Sequence, residues 1–334
     1  MRARGRGSMH VVVTGGAGFI GYRLAEAILV RGELMDQNGE RRAVGRLTIF
    51  DQMAPERPFA DPRVRVVVGD MTDRAAIATA LDGDADSIFH LASVVSGGAE
   101  ADLQLGLSVN LDGTRTLLDL AAESGRQPKL IFASSLAVYG EPGSTKVTDA
   151  TIPTPMSSYG VQKLCCEYLI GDYDRRGLID GRALRFPTIA VRPGKANLAN
   201  SSFISAVIRE PLAGRETVCP VPDDVPIALM SPGRLIETIL LAHDLPTERF
   251  GWPRALVLPA VQVTVREMLD ALERIAGSAV RARVSFKEDP RVLPMVRSWP
   301  AEVTSARAAG LGITPDKDAA AFVEQYAREQ GVAT

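Results

Sequence analysis

The stretch His10-Val11-Val12-Val13-Thr14-Gly15-Gly16-Ala17-Gly18-Phe19-Ile20-Gly21 decides the fold. His10 to Val13 reads as a short buried strand, and Phe19 to Arg31 carries apolar residues at helical spacing. Between them Gly15 permits a tight turn, Gly18 lets backbone amides approach an anion, and Gly21 lets the helix pack closely on the strand. The amino end of that helix then faces a pyrophosphate, which marks Gly15, Gly18, Phe19 and Ile20 as dinucleotide-binding candidates. A glycine triplet elsewhere would more often be a plain loop; the strand before it and the helix after it make this one informative.

Outward from this turn the chain keeps a strand-helix rhythm. Leu47 to Phe50, Val64 to Val68, Ser87 to His90, Lys129 to Phe132 and Arg182 to Phe186 read as buried strands. Arg74 to Leu81, Val109 to Ser124 and Ser158 to Arg176 read as helices. The pattern predicts an α/β protein: a doubly wound parallel sheet with its ligand at the carboxyl ends of the strands. Glu33 to Gly45, with Asn38-Gly39 at its middle, predicts a surface hairpin or loop. After residue 191 the elements shorten and Pro and Gly become frequent, so residues 9–190 are expected to form the dinucleotide domain and 191–334 mainly a smaller substrate lobe. Pieces near 235–260 are expected to return to the sheet. Met1 to Ser8 is expected to be a frayed tail.

The strand ends supply further candidates. Asp51 can accept hydrogen bonds from both hydroxyls of an adenine ribose and would repel a 2′-phosphate, favouring NAD over NADP. Asp70 and Met71 stand where an adenine could lie, although Asp70, Thr72 or Asp73 could equally cap the next helix. Leu91, Ala92 and Ser93 allow close approach to the middle of the cofactor. His90 before them reads better as a satisfied structural histidine than as a base. Asn110 either ties neighbouring strands together or is a solvated helix position.

Ser135 ends the fifth strand, and Tyr159 and Lys163, four apart, share one helix face. A phenol, with a pKa near ~10, is a poor base, but an adjacent ammonium favours the phenolate. Tyr159 can then exchange a proton, Lys163 can bind the nicotinamide ribose, and Ser135 can hold the substrate oxygen. A Tyr-x-x-x-Lys pair alone is commonplace on amphipathic helices; here the glycine turn, Asp51, the strand-end serine and this helix follow in the order one sheet needs to bring them together.

Bulk properties narrow the partners. The net charge of -2 arises from interspersed charges, which disfavours nucleic acid or an anionic membrane surface. No apolar run reaches transmembrane length. The three cysteines, Cys165, Cys166 and Cys219, show no disulfide or metal spacing, which fits a reducing cytoplasm and no metal.

These motifs resemble the extended short-chain dehydrogenases, the superfamily of nucleotide-sugar epimerases and dehydratases, over residues 9 to about 260. The resemblance implies a Rossmann-type domain, Ser135, Tyr159 and Lys163 as catalytic group, nicotinamide contacts at Phe186-Pro187-Thr188, and a homodimer built on the Val109 to Ser124 and Tyr/Lys helices. Dehydratases carry an acidic pair after the catalytic hydroxyl residue; Leu136 and Ala137 stand there instead, so elimination is disfavoured. The nucleotide-gripping Arg-Asp-Tyr-like stretch of epimerases is replaced by Ile227 to Arg234. The second lobe, including Ser201-Ser202-Phe203, Arg209-Glu210-Pro211-Leu212 and Ser298-Trp299-Pro300, is similar to a branch that oxidises short sugar acids at the 2-hydroxyl. A sugar carboxylate needs a cation, for which Arg192, Lys195 and Arg234 are candidates, Arg234 foremost; Ser96 could line the pocket beside Ser135. A nucleotide-sugar epimerase with the same catalytic group is the alternative, and a non-catalytic NAD-sensing protein a more distant one.

Overall fold

The computed structural model describes residues 7–140, 146–194 and 201–332. Of the expected tail, residues 1–6 lie outside this set; Gly7 and Ser8 run beside the sheet, with the Gly7 carbonyl accepting from Arg42 Nε at 3.1 Å.

β1 (Met9–Thr14) is entirely buried and leads through the glycine turn into α1 (Phe19–Arg31), which ends at Gly32 in the left-handed conformation. β2 (Glu33–Met35) and the first residues of β3 (Arg41–Asp51) form an antiparallel hairpin around Gly39, whose φ is +77°. β4 (Val64–Val68) pairs parallel with β3, and α2 (Arg74–Leu81) follows, capped by Asp73 through the Ala75 and Ala76 amides. Next come β5 (Ser87–His90), the short α3 (Ser96–Ala101) and α4 (Leu103–Gly106), a π-helical turn over Leu107–Asp112, and α5 (Gly113–Glu123). β6 (Lys129–Ser135), β7 (Lys146–Val147), α6 (Ser158–Arg175) and β8 (Asp180–Phe186) complete the first half. The predicted single helix from Val109 is thus divided, its first turn widened into the π-helical segment that holds Asn110.

The main sheet has eight strands. Parallel neighbours run β8, β6, β5, β1, β3, β4, and the order reverses direction at β1, between β5 and β3. That reversal opens a crevice at the strand carboxyl ends, where ligands of such sheets bind. The register lines up Thr14 with His90, His90 with Phe132, and Ser135 with Phe186 along the same edge.

In the second half β9 (Thr188–Ile189), α7 (Ser202–Leu212), β10 (Thr217–Cys219) and β11 (Pro226–Met230) are followed by α8 (Pro232–Asp244) and β12 (Ala255–Val257). β12 extends the main sheet beside β8, while β11 pairs with β9 and with β13 (Val261–Thr264) in a separate small sheet.

Burial explains the two lobes. Val11, Val13, Leu24 and Ile28 pack with Leu235, Ile239 and Ala242 of α8, closing one sheet face. Val12, Ile88, Leu130, Leu117, Cys166 and Ile170 close the other face under α2, α5 and α6. A separate core of Ile204, Val207, Leu229, Val265, Leu269, Phe322 and Val323 belongs to the second lobe. Such continuous apolar strands are what a sheet covered on both faces requires.

Candidate active site

The glycine turn is closed by contacts that tolerate no side chain. A Cβ on Gly15, whose φ is +67°, would sit 2.7 Å from the Ala92 amide nitrogen, and one on Gly21 would sit 2.1 Å from the Gly15 carbonyl oxygen. Among the described residues α1 has no side-chain cap, so its first amides, beside Phe19 and Ile20, are left for an anion. Asp51 fits the adjoining ribose position: one carboxylate oxygen accepts from the Ala17 amide at 3.0 Å and the other from Gln52 N at 2.7 Å, fixing it against the turn. Asp70 accepts from the Thr72 amide at 2.8 Å and from Gln52 Nε2 at 2.7 Å, while Asp73 takes the capping role. Met71 is buried beneath, its main chain 2.8 Å from where a Gly113 Cβ would lie. These features suit the adenosine half and diphosphate of NAD.

Asn110 is neither solvated nor a tie between strands. Its Oδ1 accepts from Val94 N at 2.7 Å, and its Nδ2 donates to Val94 O at 3.1 Å and to Gln162 Oε1 at 2.8 Å. It therefore clamps the Leu91–Val95 loop to α6, the helix of Tyr159. His90 bridges Thr14 and Thr114 at 2.6 and 2.9 Å; complete burial drives its pKa down to about 3, with Lys163 adding to the effect, so it stays neutral.

Two adjoining cavities meet at Tyr159. The first, about 290 Å³, is lined by Phe19, Ile20, Leu91, Ser93, Lys163, Arg192, Ser205 and Arg209 among others. The second, about 410 Å³, is lined by Ser96, Glu100, Ser157, Thr188, Ser298 and Trp299 among others. Ser135, Tyr159, Phe186, Pro187 and Ser201 belong to both walls. The first cavity follows the cofactor turn; the second opens on the other side of the phenol.

The charge balance at the centre differs from the expectation that the adjacent Lys163 ammonium brings the phenolate within reach. Burial is the main influence and pushes Tyr159 up to about 12, while hydrogen bonding with Ser93 and Ser135 opposes it. Burial also drives Lys163 down to about 8, against Cys166 and Glu167. The Lys163 Nζ lies over the Phe132 ring, 4.6 Å from its centroid, and 5.4 Å from that of Tyr159. Ser135 Oγ accepts from the Ala137 amide at 3.1 Å, which leaves its own proton for a partner oxygen.

The candidate cations separate. Arg192 lines the first cavity; its backbone amide donates to Ser205 Oγ at 3.0 Å, and its carbonyl accepts from Arg209 Nη1 at 3.0 Å. Burial and the neighbouring Arg209 lower the Arg192 pKa, the signature of a cation short of negative charge. Arg234 lines neither cavity, contrary to expectation. Ser231 is anchored to Asp316 through its amide at 2.8 Å and its hydroxyl at 2.6 Å, and Arg234, three residues on, pairs with Glu237 at 2.9 Å. Lys195 lies outside the described residues. Arg209, Ser205 and Ser201 were missed as site residues although Ser205 and Arg209, four apart on α7, share a face, with Ser201 at its amino end. Glu100 has no comparable local signal.

No cluster of His, Cys, Asp and Glu able to hold a metal occurs among the described residues, and no helix among them is long and apolar enough to cross a membrane.

A doubly wound sheet, a glycine turn paired with an acidic ribose position, and a Ser/Tyr/Lys group at the strand edge define an NAD-dependent oxidoreductase. Residues 11–234 match the NAD dependent epimerase/dehydratase family, and the chain belongs to it. It is 46% identical over 325 residues to a D-erythronate dehydrogenase of Cupriavidus necator, spanning 97% of this chain and 100% of that one. A D-erythronate dehydrogenase of Haemophilus influenzae is 36% identical, spanning 95% and 98%. Among solved structures, the nucleoside-diphosphate-sugar epimerase of Agrobacterium tumefaciens superposes with a TM-score of 0.90 at 33% identity, covering 99% of each chain.

Proposed function

We propose that this chain oxidises the 2-hydroxyl of D-erythronate to the 2-oxo acid with NAD. The observation that carries the reading is the placement of Ser135 and Tyr159 in the wall common to both cavities, with Arg192 in the cofactor-side cavity as a cation without a side-chain partner among the described residues. Likeness over nearly the full length to two D-erythronate dehydrogenases supports the choice of acid.

In this reading the substrate enters from the Trp299 side, its C2 hydroxyl against Tyr159 and its carboxylate against Arg192. Ser135 donates to the C2 oxygen, and the Tyr159 phenolate removes the hydroxyl proton. When bound, NAD would supply the acceptor for the hydride leaving C2. Lys163 holds the phenolate and the ribose hydroxyls. Gly15, Gly18, Phe19, Ile20, Leu91, Ala92 and Ser93 hold the diphosphate and neighbouring sugar, with Asn110 fixing the Leu91–Val95 loop there; Asp51, Asp70 and Met71 hold the adenosine. Phe186 and Thr188 flank the nicotinamide, and Ser96 joins Ser135 and Tyr159 on the substrate. With Leu136 and Ala137 after Ser135, no acid is positioned there to expel water.

A homodimer through α5 and α6 accompanies this reading: Val161 and Tyr168 of α6 are exposed apolar side chains, as are Leu103 and Leu105 of the adjoining α4. The free cysteines, two of them buried, suit a reducing cytoplasm.

The test is NADH formation with four- to six-carbon aldonates, including D-erythronate and L-threonate, with Tyr159→Phe as control. Turnover of D-erythronate abolished by the substitution is the expected result. Failure with every acid, together with conversion of a nucleotide sugar without net redox change, would replace this reading with an epimerase.

A further inference from the structure

The two cavities that meet at Tyr159 differ in charge. The charged side chains lining the first, among the described residues, are Lys163, Arg192 and Arg209. Among the described residues the second contains Glu100 as its one charged lining residue; its other polar groups include the hydroxyls of Ser96, Ser157, Thr188 and Ser298. A carboxylate is thus attracted to the cofactor side of the phenol and repelled from the far side.

Glu100 is held in a fixed relation to the catalytic phenol. One of its carboxylate oxygens accepts from the Ser158 amide at 3.0 Å, and Ser158 is the first residue of α6, next to Tyr159. The amino end of this 18-residue helix favours a negative charge there. Its second oxygen has no hydrogen-bond partner among the described residues and belongs to a residue that lines the cavity. A carboxylate oxygen so placed accepts hydrogen bonds from hydroxyls and offers nothing to an anion.

We infer that Glu100 is a specificity-determining residue: it receives the hydroxyl-bearing far end of the substrate and excludes a second carboxylate there, so that the acid lies with its single carboxylate toward Arg192. This rests on the reading of the substrate as a short sugar acid. It adds to that reading an orientation and a selection against dicarboxylates.

The probe is meso-tartrate, which has the carbon skeleton and configuration of D-erythronate with the terminal CH2OH replaced by a carboxylate. Steady-state rates of NADH formation are measured with both acids for the wild type, Glu100→Gln and Glu100→Lys. Glutamine keeps an oxygen for the Ser158 amide, and circular dichroism checks that each variant is folded. The wild type is expected to prefer D-erythronate by roughly 10-fold in kcat/KM, in line with a like-charge contact at an exposed cavity wall. Glu100→Gln should narrow that ratio by roughly 4-fold or more, raising KM for D-erythronate and lowering it for meso-tartrate, and Glu100→Lys should narrow it further. Turnover of D-erythronate with a ratio that stays within about two-fold of wild type in both variants overturns this inference alone. Absence of turnover with any aldonate in the wild type overturns the sugar-acid reading and this inference with it.

Discussion

Replacing Glu167 by glutamine should damage both stability and rate, because its carboxylate joins three elements at the edge that carries the proposed catalytic group. Arg185 of β8 binds it through Nε at 2.9 and 3.2 Å and through Nη2 at 2.6 Å. Ser134 of β6 donates to it at 2.5 Å. The pair is deeply buried, with side-chain exposures of 3% for Glu167 and 12% for Arg185. The glutamine variant leaves the Arg185 cation without its counter-ion, which costs about 3–5 kcal/mol for a buried pair. With an unfolding entropy of about 2.1 cal/mol/K per residue, the 334 residues give roughly 0.7 kcal/mol/K, so the melting temperature should fall by about 4–7 °C. Since Ser134 precedes Ser135, loosening this junction also displaces the hydroxyl proposed to hold the substrate oxygen, and kcat should drop by roughly 10- to 100-fold. Calorimetry and NADH formation measure the two effects. The double variant Glu167→Gln/Arg185→Met removes the stranded cation and should recover much of the stability but not the rate. A single variant melting within about 1 °C of wild type, with kcat within about two-fold, would refute the claim that this buried pair positions the edge.

Gly21→Ala would place a Cβ 2.1 Å from the Gly15 carbonyl oxygen, so the turn must open; a cost of about 1–3 kcal/mol and a KM for NAD raised by at least about 10-fold are expected, and an unchanged KM would contradict the close packing. Asp51→Ser should weaken NAD binding and narrow the preference for NAD over NADP, as measured by the ratio of their kcat/KM values. His90 is neutral in the fold, with its pKa lowered from 6.5 to about 3 by burial. Its unfolded form binds a proton first on acidification, so its stabilising contribution is present above pH 6.5 and is lost as pH falls toward about 3. The melting temperature of His90→Gln should therefore fall less steeply than that of wild type between pH 6.5 and 4; parallel profiles would assign the acid sensitivity elsewhere.

What was legible in the sequence was mostly local. The glycine turn needs only its own spacing and neighbouring elements, and Tyr159 and Lys163 share a helix face through their four-residue separation. The main-sheet strands showed as apolar runs because both faces are covered, whereas short pairs such as β9 with β11 gave no periodic signal. Arg192 and Arg234 each follow a Pro/Gly-containing stretch or lie within one, and the sequence reading put Arg234 foremost. Tertiary docking separates them, since anchoring of Ser231 on Asp316 carries Arg234 into a pairing with Glu237. Glu100 was invisible because its meaning depends on an amide 58 residues away in sequence. Glu167 did carry a local signal, four residues beyond Lys163 on the same face, but its partners Ser134 and Arg185 come from two strands.

These longer contacts explain why the Tyr/Lys spacing is insufficient to make a site. Burial opposes ionisation of both residues, holding Tyr159 near 12 and Lys163 near 8. The opposing influences come from Ser93 after β5, Ser135 at the end of β6, and Cys166 and Glu167 farther along α6. Asn110 holds the first of these segments to α6, and Glu167 holds the second. The same two side chains on a solvated helix would keep ordinary acidities and have no fixed oxygen partner. The proton exchange proposed for Tyr159 therefore depends on the junction of loop, strand and helix, and substitutions at Asn110 or Glu167 should alter it without touching the phenol.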